Sequence, residues 1–67
     1  MMTTLHKNII SELRQANALT TTEIAIAVNA HQDLVQEALH DLDDEGQVIM
    51  RNGFYRASEA AKAHQSP

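Results

Sequence analysis

Apolar side chains recur along the first two thirds of the chain at intervals of three or four residues, the period of an amphipathic α-helix. In the first stretch they form one stripe, made of Leu5, Ile9, Ile10, Leu13 and Ala16. The charged and polar positions there fall largely outside that stripe: His6, Lys7, Glu12 and Arg14. We predict a first helix that is capped by Thr3 or Thr4. It should end near Asn17, because asparagine tolerates the left-handed conformation of a helix end.

The next stretch predicts a short second helix and begins with the clearest helix-start signal in the sequence. Thr20 and Glu23 have the spacing of a capping box, in which each side chain accepts a hydrogen bond from the backbone amide of the other residue. The apolar positions that follow are Ile24, Ala25, Ala27 and Val28. Residues 29–31, Asn-Ala-His, interrupt the helical pattern, so we expect a turn there.

A third helix is predicted from this turn to about Glu45. Its apolar positions again have helical spacing: Leu34, Val35, Ala38, Leu39 and Leu42. Asp33 and Glu37 should project to solvent on the opposite side of the helix. Gly46 follows the stripe and should end the helix, because glycine adopts positive φ without steric cost.

Two short runs on either side of Asn52-Gly53 predict a β-hairpin, with strands over residues 47–51 and 54–57. Asn-Gly is a strong hairpin signal, because both central positions of a type I′ turn require positive φ. A two-residue loop pairs residue 51 with 54, 50 with 55, 49 with 56 and 48 with 57. One face of the hairpin, assigned to the core, then carries Val48, Met50, Tyr55 and Ala57. The other face carries Ile49, Arg51, Phe54 and Arg56.

These elements predict a mainly α-helical fold, in which three helices are closed by a small β-hairpin. The 67 residues suffice for one domain with a thin core. We place that domain at residues 1–57 and a flexible or frayed-helical tail at residues 58–67. The predicted core comprises Leu5, Ile9, Leu13, Ile24, Val28, Val35, Leu39, Leu42, Val48 and Tyr55.

Charge is distributed unevenly along the chain, whose formal net charge is −4. Residues 1–32 are neutral and residues 46–67 carry +2, whereas residues 33–45 carry −6, with six carboxylates and no lysine or arginine. Asp41, Asp43, Asp44 and Glu45 are open to three interpretations: a cation site, a partner-binding surface or a solvated helix end. Acidic groups at a helix C-terminus oppose the helix dipole, so this placement is mildly unfavourable.

Several function classes are disfavoured by composition. Without cysteine there is no disulfide, thiolate metal site or thiol chemistry. His31 and His40 stand nine residues apart, too far along a helix to chelate one ion as an i, i+4 pair does. With no glycine-rich phosphate loop and no room for a buried cleft, we expect neither an enzyme nor a cofactor. Lacking a signal peptide and any apolar run of membrane-spanning length, the chain is expected to be a cytoplasmic protein without membrane contact.

Part of the sequence resembles the winged helix-turn-helix family of small bacterial and phage transcriptional regulators. The resemblance covers residues 23–48 and includes Glu23-Ile24-Ala25, Val28, Ala30, Val35, Leu39, Leu42, Gly46 and Val48. The first helix and the hairpin extend it to about residues 3–57. In this family an acidic-Ile-Ala start leads through a turn to a leucine-spaced recognition helix, then to a glycine and the first strand of the wing.

The resemblance implies binding of double-stranded DNA, with the third helix in the major groove and the hairpin wing on the phosphate backbone. The residues implied in contact are His31, Gln32, Gln36, His40, Arg51, Asn52 and Arg56. Glutamine suits adenine and histidine suits guanine or phosphate, while Arg51 and Arg56 serve either as phosphate contacts or as edge charges that limit aggregation.

The sequence departs from the family pattern at two places, and these support an alternative function. His31 stands where the family commonly has serine or threonine, and Asp33 and Glu37 stand on a helix face that usually carries lysine or arginine. The alternative is a winged-helix module that binds a protein partner or a second copy through an acidic surface, without binding DNA. Phe54, an exposed aromatic on the hairpin, also suits a dimer or partner contact.

Overall fold

The computed structural model describes residues 3–59 and contains three helices and two strands. In chain order they are α1 (Thr4–Gln15), α2 (Thr21–Val28), α3 (Gln32–Asp44), β1 (Val48–Arg51) and β2 (Phe54–Ala57). The strands pair as one antiparallel hairpin behind three mutually packed helices, so the chain is mostly helical with a winged-helix-like arrangement. Within the described residues, no helix is both long enough and apolar enough to cross a membrane.

The start of α1 is a capping box that includes a histidine. Thr3 is the N-cap, its hydroxyl oxygen accepts from the His6 amide at 3.3 Å, and the Thr3 amide donates to His6 Nδ1 at 3.1 Å. Because Nδ1 accepts this bond, the ring proton lies on Nε2, which is 3.3 Å from Asp41 Oδ2 on α3. His6 is therefore buried, and our placement of it outside the buried stripe is wrong.

The end of α1 also differs from the prediction. Asn17 is not left-handed; the helix is capped by Ala16 in an extended conformation, φ −103° and ψ 152°. The reason lies farther along the chain, where Leu19 forms an antiparallel bridge with Tyr55 of β2. The two residues exchange both backbone hydrogen bonds, at 2.9 and 2.7 Å. The backbone must leave α1 extended to reach this pairing, which the local sequence does not reveal.

The α2–turn–α3 segment forms as predicted. Thr20 and Glu23 make the reciprocal capping box, with bonds of 2.8 and 3.2 Å. Asn29 ends α2 in the left-handed conformation at φ 55°, and the chain re-enters a helix after His31, the N-cap of α3. Gly46 adopts φ 73° after α3. Three residues thus turn the chain between two helices that pack on each other and on α1.

The hairpin has the predicted register and turn. Val48 pairs with Ala57 and Arg51 with Phe54, while Asn52 and Gly53 have φ values of 54° and 83°. The ladder continues one residue farther, since the Ser58 amide donates to the Gln47 carbonyl at 2.9 Å. Ser58, which we assigned to the tail, is therefore buried with the domain. Of the tail predicted over residues 58–67, residues 60–67 lie outside the described residues.

The core confirms most of the predicted apolar positions. Its buried members are Ile9, Ile10, Leu13, Ile24, Ala25, Val35, Ala38, Leu39, Leu42, Val48 and Ala57. Leu5, Val28 and Tyr55, predicted as core, are only partly buried and pack on its edge. They cover the cluster, and its centre is provided by α3.

Two residues assigned to buried faces are exposed: Leu34 and Met50 each keep 54% of their accessible surface. Leu34 lies about 100° around α3 from Val35, beyond the edge of the buried stripe. Met50 is on the correct face of β1, but only the base of the hairpin is covered by the helices. The Val48–Ala57 pair at that base is buried, whereas at the next pair on this face Tyr55 packs on the edge of the core and Met50 is exposed.

Candidate functional site

One side of α3 is open to solvent from Gln32 to His40 and forms the first part of the candidate site. We call this surface, made of Gln32, Asp33, Gln36, Glu37 and His40, the α3 face. All five side chains are exposed, because the buried stripe of α3 occupies the opposite side of the helix. Three of them recur at i, i+4 and i+8, so two amides and an imidazole lie in one row along the helix.

The turn before α3 borders a shallow groove between α2 and α3. It is lined by Thr22, Ala25, Ile26, Asn29, Ala30, His31 and Gln32. The Gln32 side-chain nitrogen donates to the Thr22 hydroxyl at 3.3 Å, which ties the start of α3 to α2. His31 makes no side-chain cap bond, so its ring is available to a ligand. Ile26 is 76% exposed beside it, a surface position that our sequence analysis did not single out.

Two carboxylates give the α3 face negative charge. Asp33 and Glu37 are exposed, and among residues 3–59 neither pairs with a lysine or arginine. The pairs that α3 makes are with histidines: His6 with Asp41, and His40 with Asp44 at 3.9 Å on the same helix. The latter is a solvated i, i+4 pair and contributes little to stability. The α3 face therefore presents uncompensated negative charge.

The second part of the candidate site is the outward side of the hairpin. We call Ile49, Arg51, Phe54 and Arg56 the hairpin face; all four point away from the core, as the predicted register requires. Arg51, Asn52, Phe54 and Arg56 border one depression, with Ala18 at its edge. Ala18 enters the site because the neighbouring Leu19 pairs with β2, a contact that no sequence pattern signalled.

The guanidinium groups of the hairpin face have no polar partner within residues 3–59. In the described part of the chain, neither Arg51 nor Arg56 forms an ion pair or side-chain hydrogen bond. Arg51 is the cross-strand partner of Phe54, and Arg56 lies two residues beyond it on the same face. Two cations therefore flank an aromatic ring that is 46% exposed, which suits an anionic ligand.

The predicted contact residues thus fall into two groups. His31 and Gln32 border the α2–α3 groove, with Gln36 and His40 along α3, while Arg51, Asn52 and Arg56 surround the depression on the hairpin. All seven are exposed.

Across residues 3–59, no three histidine or acidic side chains are grouped so that they could hold a metal ion. No protein-family model matches this chain, and neither the curated proteins nor the solved structures include a significant match.

Proposed function

We propose that this protein is a small DNA-binding transcriptional regulator that places the α3 face in the major groove and the hairpin face on the phosphate backbone. The observation that carries the proposal is the combination of a helix-turn-helix with two arginines on the adjacent hairpin that form no ion pair within the described residues. A major groove about 12 Å wide accommodates one α-helix. The role implies a cytoplasmic location, because bacterial and phage DNA is found there.

The side chains of the α3 face suit the reading of base edges. Gln32 and Gln36 can each donate to and accept from adenine, and His40 can donate to guanine. The exposed bond from Gln32 to Thr22, 3.3 Å long, uses one of the two N–H donors of that amide and leaves the other donor and the amide oxygen for a base. Asp33 and Glu37 can accept from the amino group of cytosine. Elsewhere on the duplex they are repelled by phosphate, so they favour specificity over affinity.

Phosphate binding is assigned to the hairpin. Arg51 and Arg56 each contribute a charge and up to five N–H donors, and Asn52 adds an amide at the turn. Phosphate contacts fix the position of a protein on the duplex and supply much of its affinity. With only these two arginines on the hairpin, we expect modest affinity with a shallow salt dependence, because the salt slope scales with the number of phosphates contacted.

The first test measures binding to a random duplex by fluorescence anisotropy over a series of salt concentrations. We expect Arg51→Ala and Arg56→Ala each to weaken binding on all sequences and to lower the salt slope by about 1, the contribution of one phosphate contact. Lys7→Ala is the matched control, because it removes one exposed positive charge from α1. If both arginine variants behave like Lys7→Ala, the hairpin does not contact DNA.

A second candidate function is a protein-interaction module, and one observation favours it. Asp33 and Glu37 have no basic partner within residues 3–59, on the helix face that would otherwise enter a negatively charged groove. Such a surface suits a basic protein segment. Removal of these carboxylates should tighten DNA binding if the protein is a regulator, and should weaken capture of a basic partner if it is an interaction module.

A further inference from the structure

The hairpin face combines charge with exposed apolar surface in a way that phosphate binding does not require. Ile49 and Phe54 remain 38% and 46% exposed between Arg51 and Arg56. Phosphate contacts need the arginines only, whereas an aromatic ring next to an isoleucine is typical of the centre of a protein interface. The surface therefore suits a ligand that offers both carboxylates and apolar side chains.

The α3 segment of the same chain has that complementary chemistry. Residues 33–45 carry six carboxylates without a lysine or arginine. Leu34, 54% exposed, lies one helical turn from Glu37 and next to Asp33 in sequence, so an apolar side chain is set among acidic ones. Leu34 is not needed in the core, which the neighbouring Val35 fills.

The charges of α3 and of the hairpin face do not pair with each other within one molecule. No ion pair joins Arg51 or Arg56 to α3 in the part of the chain that the structure describes. Within residues 3–59, each copy therefore presents Asp33 and Glu37 without a basic partner, and a hairpin whose two arginines form no ion pair. In a two-fold arrangement both surfaces of one copy meet their complements on the other, and the assembly closes at two subunits.

We propose that two copies of this chain associate reciprocally, the α3 face and Leu34 of each lying against the hairpin face of the other. The carboxylates Asp33 and Glu37 then occupy the positions that phosphates take on Arg51 and Arg56, and Leu34 covers Phe54. This association needs no nucleic acid, so it holds or fails independently of the proposed function. If both occur, DNA and the second copy compete for the same two surfaces.

Sedimentation equilibrium without DNA tests the proposal through charge reversal. We expect the wild type to be a dimer that weakens as salt rises. Arg51→Glu/Arg56→Glu and Asp33→Lys/Glu37→Lys should each sediment as monomers, with association weakened about a hundredfold or more by like charges across the interface. An equimolar mixture of the two variants should form a dimer again, because each reversed surface then meets its complement.

Lys7→Glu, which reverses an exposed charge on α1, is the control and should remain dimeric. Circular dichroism melts establish that each variant is folded before its sedimentation mass is compared with that of the wild type. A monomeric wild type at millimolar concentration overturns the proposal, and so do charge-reversed variants that stay dimeric. A mixture that stays monomeric overturns the reciprocal pairing, and a series of masses beyond the dimer overturns the closed two-fold arrangement.

Discussion

At the scale of single residues, Asp33 and Glu37 decide between the two candidate functions. Both are exposed on the α3 face without a basic partner in residues 3–59. On the DNA-binding proposal these charges approach phosphates, and each is repelled by about 1 kcal/mol at 4 Å in water. On the protein-binding alternative the same charges attract the partner.

The first prediction follows from that contrast. Asp33→Asn/Glu37→Gln should bind a random duplex about tenfold more tightly than the wild type at low salt, given about 1 kcal/mol for a close charge pair in water and partial screening. The gain should shrink as salt rises. Asp43→Asn/Glu45→Gln removes the same charge near the other end of α3 and should change the affinity much less. If Asp33→Asn/Glu37→Gln does not bind DNA at low salt, the protein is an interaction module and the regulator function is abandoned.

The second prediction concerns burial on α3. Leu39 is fully buried and Leu34 is 54% exposed, so one helix offers the same substitution in both environments. Leu39→Ala should lower the free energy of unfolding by about 2 to 5 kcal/mol, whereas Leu34→Ala should change it by no more than about 0.5 kcal/mol. Urea denaturation followed by circular dichroism measures both. Equal losses in the two variants would contradict the helix register.

At the scale of elements, what the sequence could predict depends on whether the determining contacts are local. The Thr20–Glu23 box, the left-handed Gly46 and the Asn52-Gly53 turn need only residues close together in the chain, and all three form as predicted. The bridge from Leu19 to Tyr55 spans much of the domain. No local pattern encodes it, and for that reason the left-handed Asn17 predicted at the end of α1 was wrong.

The same distinction explains the side chains that we misplaced. His6 is buried because its ring caps α1 and reaches Asp41 across 35 residues. Leu34 is exposed because it lies beyond the edge of the buried stripe of α3, and Met50 because the helices cover mainly the base of the hairpin. Periodicity assigns a residue to a face, but the extent of the opposing element decides whether that face is covered. For the candidate site, periodicity identified the exposed α3 face and the hairpin arginines, while Ala18 and Ile26 required the tertiary structure.

The third prediction tests the cap that starts the helix-turn-helix. The Thr20 hydroxyl oxygen accepts from the Glu23 amide at 3.2 Å. Thr20→Ala leaves that amide without this acceptor and should lower the free energy of unfolding by about 1 kcal/mol. Thr20→Ser keeps the hydroxyl and should retain most of the stability. Thermal melts monitored by circular dichroism separate the two variants, and an alanine variant as stable as the serine variant would show that the box is not needed.

At the scale of the whole molecule, the separation of charge is the dominant feature. An acidic helix and a basic hairpin lie on one small domain, with −6 over residues 33–45 and +2 over residues 46–67. On the DNA-binding proposal the hairpin contacts the polyanionic backbone, and Asp33 and Glu37 favour base edges that donate, such as the amino group of cytosine. A protein of this kind should show weak general affinity for DNA and a large difference between its preferred site and random sequence.

The most direct test of DNA binding through α3 and the hairpin is an NMR titration of the ¹⁵N-labelled protein with duplex DNA at low salt. We predict amide shift changes concentrated in residues 31–40 and 51–56, with little change in the first turns of α1. The same residues should respond most strongly when genomic fragments replace the random duplex. Absence of shift changes at low salt, or changes confined to α1, would contradict the proposed interface and with it the function assigned to this fold.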